Sequence, residues 1–523
     1  MCGILFCEGK ETEDFQKAYG CMVHRGPDMS RKYETSKGFF GFHRLAIMDT
    51  SEKGMQPFVK DAITLMVNGE IYNELKLVDR YKDYPFVGHS DCETLIPLYL
   101  DKGSDMCVDL DAEYAFVLWD EDKQKLLAAR DPIGIRPLFY GYQKDSLKIA
   151  FASEMKSLLP LCDKVLPFPP GHIYDNGQFI QYYDVTKTHD SLLNEEEALR
   201  AIREKLTVGV EKRMMSDVPI AYLLSGGLDS SLVCALAAKQ SKGPIKTFAI
   251  GMQKDAIDLK YAAQVARHIG SDHTEVYMST QEVLDSVKEV IYHLETFDIT
   301  TIRASIGMYL LTKAIHEKSD VKVLLTGEIS DELFGYKYTD FAPDAISFQK
   351  ESEKRLKELH LYDVLRADRC IAAWSLEARV PFGDLDFVKD VMSIDPKLKM
   401  NRTGMGKYLL RQAFAKDDLL PSSILWREKA AFSDAVGHSM VDDLKAYAEK
   451  HYSDEDLLAA KTKYPHVTPH TKEALWYRDI FESFYPNQSH VIPSFWMPNP
   501  EWVGASITDP SARFLSNYNK SGE

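Results

Sequence analysis

The apolar pattern of this chain changes period near residue 190, and the two periods call for two differently built cores. Before that point, Ile63–Val67, Tyr114–Trp119 and Lys125–Ala129 are β-rich runs bounded by charged or Gly/Asn residues. Pro167-Phe168-Pro169-Pro170-Gly171 forces a loop, and Gln178–Tyr183 reads as a last strand. These runs predict a stack of mostly antiparallel sheets. After Asn194-Glu195-Glu196-Glu197, residues Ala198, Ile202, Leu206, Val210 and Met214 recur every four positions, an apolar helix face with acids at its N-terminus. Strands then alternate with helices. Pro219–Leu224, Lys246–Ile250, Thr274–Met278 and Val321–Leu325 read as strands, and Leu228–Lys239, Asp258–Ile269 and Gln281–Tyr292 as helices. That alternation predicts a parallel sheet covered by helices. Residues 340–484 read as mainly helical, and the Pro-, Asn- and Ser-rich end as a partly ordered tail. The expected domains are therefore 1–190 and 195–484, followed by a tail over 485–523.

A chain of 523 residues has room for more than one sizeable core. Its net charge of −16 argues against a general nucleic-acid surface but leaves room for a local basic site. The eight cysteines form no CxxC pair and no His-Cys zinc spacing, which fits reduced thiols in the cytoplasm. No apolar run reaches the ~18 residues needed to span a membrane. No basic-then-apolar leader opens the chain, so a signal peptide is not expected.

Cys2 stands directly behind the initiator methionine, which is readily trimmed before a small side chain. It would then carry a nucleophilic thiol and a base, its own α-amine, on one residue. An α-amine of pKa ~8 is roughly a tenth unprotonated at pH 7. Hydrolysis of a side-chain amide also needs an oxyanion hole and groups that grip both ends of an amino acid. Asn68-Gly69-Glu70 follows the strand expected to end at Val67, so the Asn68 amide and the Gly69 N–H can point together at an oxyanion. Such a donor is worth a factor of ~10²–10³ in rate. Arg44 can clamp an α-carboxylate bidentately, and Glu70 and Asp91 can bind an α-ammonium.

The strings Cys2-Gly3-Ile4, His24-Arg25-Gly26-Pro27-Asp28, His43-Arg44-Leu45-Ala46-Ile47, Asn68-Gly69-Glu70-Ile71-Tyr72-Asn73 and Ser90-Asp91-Cys92-Glu93 resemble class II glutamine amidotransferases, in that family's order. The resemblance implies an α+β fold, a four-layer αββα sandwich of the N-terminal-nucleophile type. It also implies a glutamine pocket made by Arg44, Leu45, Ala46, Ile47, Met48, Asn68, Gly69, Glu70 and Asp91. His24 and His43 read as structural, because the α-amine already supplies a base.

In the second half, Ser225-Gly226-Gly227-Leu228-Asp229-Ser230-Ser231 sits between an expected strand and an expected helix. Its glycines let N–H groups close around phosphate, its hydroxyls add donors, and the helix N-terminus favours an anion. The Gly-Lys-Ser/Thr ending of a Walker A loop is missing. The string resembles the pyrophosphate loop of the ATP-pyrophosphatase family, which releases AMP. A second loop, Thr326-Gly327-Glu328-Ile329-Ser330-Asp331-Glu332, should open on the same crevice at the C-terminal strand ends. Asp229 and Asp331 are then candidate Mg²⁺ ligands, directly or through water, whereas Glu332 reads as a helix cap.

The combination resembles the glutamine-hydrolysing asparagine synthetases nearly end to end. Thr300-Thr301-Ile302-Arg303, Glu377-Ala378-Arg379-Val380-Pro381-Phe382, Trp426-Arg427-Glu428-Lys429 and Asp509-Pro510-Ser511-Ala512-Arg513 add to it. The resemblance implies an adenine-nucleotide hydrolase-like α/β domain with a helical C-terminal part. It implies that Leu224, Ser225, Gly226, Gly227, Asp229, Ser230, Ile250, Thr326 and Gly327 bind ATP, and that Thr300 and Arg303 contact aspartate. Lys429 would neutralise departing pyrophosphate, and Glu328 would support ammonia attack on an acyl-adenylate. The expected partners are glutamine, aspartate and ATP with Mg²⁺, and a homodimer is compatible. Ammonia must stay unprotonated, so a water-poor passage is expected. Departures from the pattern include Ile329 for Gly, Gly383 for Leu, Ala430-Ala431 for a polar pair, and Ala112-Glu113 for a Gly-Met-like pair. The rival readings are amidation of another carboxylate, or a non-enzymatic degenerate homologue.

Overall fold

The computed structural model describes residues 1–144, 146–188, 194–401, 403–428, 437–510, 513 and 515–517. It divides into two compact units that do not follow chain order. One holds Met1–Val185 with two returning segments, Met215–Pro219 and Ile371–Ala378, and the other holds Thr186–Met214, Ile220–Cys370 and Arg379–Glu523.

The first unit is a four-layer αββα sandwich. Its strands are β1 (Gly3–Glu8), β2 (Met29–Glu34), β3 (Gly38–Arg44), β4 (Phe58–Lys60), β5 (Ile63–Ile71), β6 (Ala112–Asp120), β7 (Lys125–Arg130), β8 (Phe139–Gln143), β9 (Ile149–Ala152), β10 (Cys162–Pro167), β11 (His172–Asp175) and β12 (Gln178–Gln181). They form two six-stranded sheets, β10-β8-β9-β1-β3-β2 and β12-β11-β7-β6-β5-β4. Phe6, Phe40 and Phe151 of one sheet and Met66, Val117 and Trp119 of the other fill the space between them. Leu95, Leu98 and Tyr99 of helix Leu95–Lys102 cover the outer face of the second sheet, packing on Val67, Phe116 and Leu118. Helix Glu13–Gly20 buries Phe15 and Ala18 on the outer side of the first.

Most of these strands lack the alternation by which sequence reveals a strand. β3 is buried along its whole length, and β2 is a largely exposed, charged ribbon. One expected boundary is corrected. β5 does not end at Val67 but runs on to Ile71, with Asn68 opposite Ala115 and Gly69 opposite Tyr114. Asn-Gly is a turn signal only where the chain is free to turn, and here unbroken pairing with β6 overrides it. Gly69 is required at this spot, because a Cβ would come within 2.4 Å of the Glu113 carbonyl oxygen.

In the second unit, β13 (Ile220–Leu223), β14 (Lys246–Met252), β15 (Asp272–Met278) and β16 (Val323–Leu325) pair in parallel in the order β15-β14-β13-β16. Helices Leu228–Gln240, Ile257–Ile269 and Thr280–Leu294 lie close to the positions expected for them. Helix Glu195–Arg213 opens with a capping box between Asn194 and Glu197 and buries Ala198, Ile202, Leu206 and Val210. Helices such as Ala345–Glu358, His438–His451 and Lys472–Phe484 make the C-terminal part mainly helical. Trp502 and Leu515, from the segment expected to be loose, pack in one cluster with Tyr338 and Phe348. No helix among the described residues is long and apolar enough to cross a membrane.

Lys399 is an internal liability. Its ammonium is buried against Gln349 Oε1 at 3.3 Å and the Val391 carbonyl at 3.2 Å, and burial lowers its pKa from 10.5 to about 7. Between those values the unfolded chain binds a proton that the folded chain does not, so stability rises with pH across that window. Lys399→Met is expected to raise stability by about 1–3 kcal/mol at pH 7, after the loss of two hydrogen bonds. The gain should be full below pH 7 and fade towards pH 10. Melting temperatures of both proteins across that range check this; a gain that grows with pH would contradict it.

Candidate active sites

Cys2 immediately precedes β1 and meets β5 at Asn68. The Cys2 backbone N–H donates to Asn68 Oδ1 at 2.9 Å, and the thiol points at the Leu45 carbonyl, 3.8 Å away. Burial pushes the thiol pKa up, so the resting group is a thiol that needs a base. With Asn68 Oδ1 engaged, the buried Asn68 Nδ2 has no acceptor among the described residues. An orphaned buried donor costs about 1–3 kcal/mol, so the position favours an arriving oxygen that carries negative charge. On the edge of β5 that β4 leaves open, Val67 N–H donates to Gln56 Oε1 at 2.6 Å and Ile71 N–H to Asp91 Oδ2 at 2.7 Å. Gly69 lies between them, and the alternation of the strand turns its N–H to the same edge. Glu70 is buried on the face that also carries Asn68.

Two residues of the quoted strings have uses that the sequence did not reveal. Arg25 Nε donates to the Cys2 carbonyl at 2.9 Å while its Nη1 donates to Glu154 at 2.9 Å. Asp28 Oδ2 accepts from the Ala46 N–H at 2.8 Å, fixing the turn that carries Leu45, Ala46 and Ile47. Gly26 was the available signal: a Cβ there would meet the His43 carbonyl oxygen at 2.3 Å, so the string packs tightly against its neighbours. His24 bonds with Glu154, and His43 with Ser30 and the Tyr19 carbonyl, as structural histidines do. Arg44 differs from expectation. Its guanidinium donates to the carbonyls of Met48, Asp49 and Ser51, so in this structure it holds the turn instead of presenting an open fork.

The second site opens at the carboxyl ends of β13, β14 and β16, lined by Leu224, Ser225, Gly227, Asp229, Ile250 and Thr326 among others. Gly226 adopts a left-handed conformation at φ +74°, where a Cβ would also strike the Ala262 nitrogen at 2.5 Å. Ser225 and Ser230 bond to each other across the loop at 2.9 Å. No side chain caps helix Leu228–Gln240, which leaves its N-terminus to an anion. A Cβ on Gly327 would lie 2.7 Å from the Ser230 nitrogen, so the two expected loops pack directly together. The buried hydroxyls of Thr300 and Thr326 have no partner among the described residues and line this cavity.

Lys407, which sequence reading missed, ties the acids together. Its ammonium lies 2.8 Å from Asp229 Oδ1 and 2.5 Å from Asp331 Oδ1, and Ser330 Oγ donates to Asp229 at 2.7 Å. The two carboxylates thus converge on one cation, which is the donor arrangement Mg²⁺ would use. No third ligand joins them among the described residues, so water and phosphate would complete the shell. The only hint in sequence was Gly404-Met405-Gly406 before Lys407, which itself sits at φ +56°. Arg427 donates to the Gly226 carbonyl and to Asp258 while stacking on Tyr261, and Arg411, its pKa lowered to about 10 by burial, stays cationic nearby.

Glu328 meets Arg366 in a two-pronged ion pair at 2.7 and 3.2 Å. It does not cap the following helix, which has no side-chain cap. Ile329, between Glu328 and Ser330, is buried at φ +80°, a conformation that costs a β-branched residue about 1–3 kcal/mol. Burial beside Asp363 and Asp331 pushes the Glu332 carboxyl well above its usual range. Arg303 lines the cavity, but Glu473 and Asp509 already neutralise it through four hydrogen bonds of 2.6–3.2 Å. Lys429 lies outside the described residues, as do Ala430 and Ala431.

A family model described as asparagine synthase matches residues 201–347 and 341–506, and one described as a glutamine amidotransferase domain matches residues 1–182. The chain is 41% identical to a probable glutamine-hydrolysing asparagine synthetase of Schizosaccharomyces pombe, with 99% of each chain covered. It is 39% identical to the glutamine-hydrolysing asparagine synthetase of Asparagus officinalis, covering 100% of this chain and 92% of that one. Glutamine-hydrolysing asparagine synthetase 1 of Saccharomyces cerevisiae is 41% identical, over 99% of this chain and all of its own. Among solved structures, an allosteric regulatory enzyme of purine biosynthesis aligns with 53% of this chain and 80% of its own at 14% identity, with a TM-score of 0.31.

Proposed function

Because this chain belongs to the glutamine-hydrolysing asparagine synthetase family, we propose that its Cys2 site releases ammonia and its Asp229–Asp331 cavity spends that ammonia on an activated aspartate. The protein makes asparagine from aspartate, with glutamine as nitrogen donor and ATP as the activating substrate. The observation that carries this division of labour is the unpartnered Asn68 Nδ2 in the segment that binds the Cys2 backbone. It is a donor waiting for an oxyanion, in a unit that contains none of the second cavity's lining.

After Met1 is removed, the Cys2 α-amine takes the thiol proton and sulfur attacks the side-chain carbonyl of glutamine. Asn68 Nδ2 and the Gly69 N–H receive the oxyanion, ammonia leaves, and water cleaves the thioester to glutamate. Glu70 and Asp91 hold the α-ammonium. Arg44 holds the 48–51 turn with three of its five N–H donors, which leaves two for the α-carboxylate. In the second cavity the β-carboxylate of aspartate attacks the α-phosphorus of ATP, releasing pyrophosphate, and ammonia then displaces AMP. Ser225, Gly227, Ser230 and the bare helix N-terminus cradle phosphate, while Lys407, Arg411 and Arg427 offset its charge. Thr300 meets aspartate by its free hydroxyl, and Arg303 does so while paired with Glu473 and Asp509, whose second negative charge Lys445 offsets at 2.7 Å from Asp509. Lys429 keeps its place in this reading as a pyrophosphate partner.

Mg²⁺ belongs to the proposal. When bound it would neutralise charge on the departing pyrophosphate, held by Asp229 and Asp331. Eight cysteines without a disulfide fit a reducing, cytoplasmic setting, and the mass in solution reads out whether the protein is a homodimer. Purified protein given glutamine, aspartate and MgATP should form asparagine, glutamate, AMP and pyrophosphate. Asp229→Asn or Asp331→Asn should cut aspartate-dependent AMP formation about a hundredfold or more while glutamate formation continues. Wild-type AMP formation in both variants would place the metal elsewhere.

A further inference from the structure

Trp496 lines the second cavity, although it belongs to the segment expected to be a partly ordered tail. Three side chains fasten the backbone on either side of it. The Tyr362 hydroxyl donates to the Ser494 carbonyl at 3.1 Å, Asp298 Oδ1 accepts the Trp496 N–H at 2.6 Å, and Arg355 Nη2 donates to the Met497 carbonyl at 2.6 Å. The indole is gripped as well. The Arg355 guanidinium lies 4.8 Å from its ring centre, and Tyr338 meets it edge-on at 5.4 Å.

Asp298 has a second task. It stands at the N-cap of helix Ile299–Lys318, where its Oδ2 accepts both the N–H and the hydroxyl of Thr301 at 2.8 Å. Capping needs one side-chain oxygen, and Ser or Asn supplies it as well as Asp does. The other oxygen is the one that takes the Trp496 N–H. The residue is fully buried, and a buried carboxylate is costly unless hydrogen bonds satisfy it. Here the two tasks together, with the positive end of the helix, do so. The first turn of that helix carries Thr300, whose buried hydroxyl has no partner among the described residues, and Arg303 follows one turn later. Thr300 and Arg303 line the same cavity as Trp496. One carboxylate thus joins the helix turn that presents the Thr300 hydroxyl to the segment that presents the Trp496 indole.

We propose that Asp298 is a positioning residue for aspartate: by holding Thr301 and Trp496 at once, it sets the spacing between the Thr300 hydroxyl and the Trp496 indole, and with it the fit of a small dicarboxylate. The proposal rests on the reading of this cavity as the place where aspartate is activated. Asp298 does not itself line the cavity, so it acts through the two groups it holds. Its side chain makes no bond to the Ser225–Ser231 loop or to the Asp229–Lys407–Asp331 cluster. Loss of the bridge should therefore disturb aspartate and spare ATP.

Asparagine formation from added ammonium chloride and MgATP, with aspartate varied, reads the second cavity without the first. In Asp298→Asn the amide keeps one acceptor for the cap and turns its NH2 towards the Trp496 N–H, so the shape stays and the bridge is lost. KM for aspartate should rise about tenfold or more, while KM for ATP and kcat stay within about threefold of wild type. A purely structural role would lower the melting temperature and the active fraction and leave KM for aspartate where it was. That result would overturn the proposal, and so would an equal rise in both KM values. If Asp298→Asn does not fold, Trp496→Ala, which removes the indole and keeps the backbone N–H on Asp298, is read on the same two constants; an unchanged KM for aspartate again overturns the proposal. A wild-type protein that forms no asparagine from these substrates would overturn the reading of the cavity itself, before any KM is compared.

Discussion

Cys2→Ala is expected to lose asparagine formation from glutamine by about a thousandfold or more, while asparagine formation from added ammonia stays within about twofold of wild type. The first effect follows because no neighbour can replace the thiol. Cys92 lies near the proposed glutamine site, bonded to the Gly69 carbonyl, and burial raises its pKa far above that of a reactive thiol. The second follows because every residue lining the cavity proposed for adenylation lies in the other compact unit. Intact mass should show Met1 absent from wild-type protein. Parallel assays with the two nitrogen donors decide the rest. Loss of both activities in a folded Cys2→Ala protein would sink the two-site account.

Glu328→Gln should act on the opposite side of the reaction. Ammonia attacking an acyl-adenylate develops positive charge on nitrogen and must lose a proton, and a nearby carboxylate contributes about 10²–10⁴ to such a step. Turnover should therefore fall by about that factor with ammonia as well as with glutamine, whereas ATP affinity changes little. The structure sharpens this test. A helix-capping role would have predicted a loss of stability and little loss of rate, but Glu328 turns to Arg366 and caps nothing. Glutamine at this position keeps the shape and leaves Arg366 still paired with Asp363 at 2.7 Å, so the protein should fold. Near-wild-type turnover with ammonia would remove Glu328 from the chemistry.

Ile329 shows why a motif and its geometry must be read together. The sequence marked it as a bulky residue where the resembled pattern has glycine, a substitution that stiffens a loop. The structure locates the stiffness in the backbone, since φ +80° is a conformation that glycine adopts freely and isoleucine does not. That strain lies between the Arg366 partner on one side and the Lys407 partner, Asp331, on the other.

Periodicity and local strings were enough for much of this protein. A four-residue apolar repeat made Glu195–Arg213 a helix, and strand–helix alternation made a parallel sheet with its ligand loops at one end. Cys2, Asn68-Gly69 and Ser225–Ser231 stood out as candidates because each is a contiguous stretch of neighbours in the chain. What sequence could not supply were the charges that complete these sites. Lys407 reaches Asp229 across a separation of 178 residues, and Arg303 reaches Glu473 across 170. A surface Lys or Arg and a buried one look the same in one dimension. Desolvation separates them: a charge taken out of water must find a partner, and only the folded chain decides which residue that partner is.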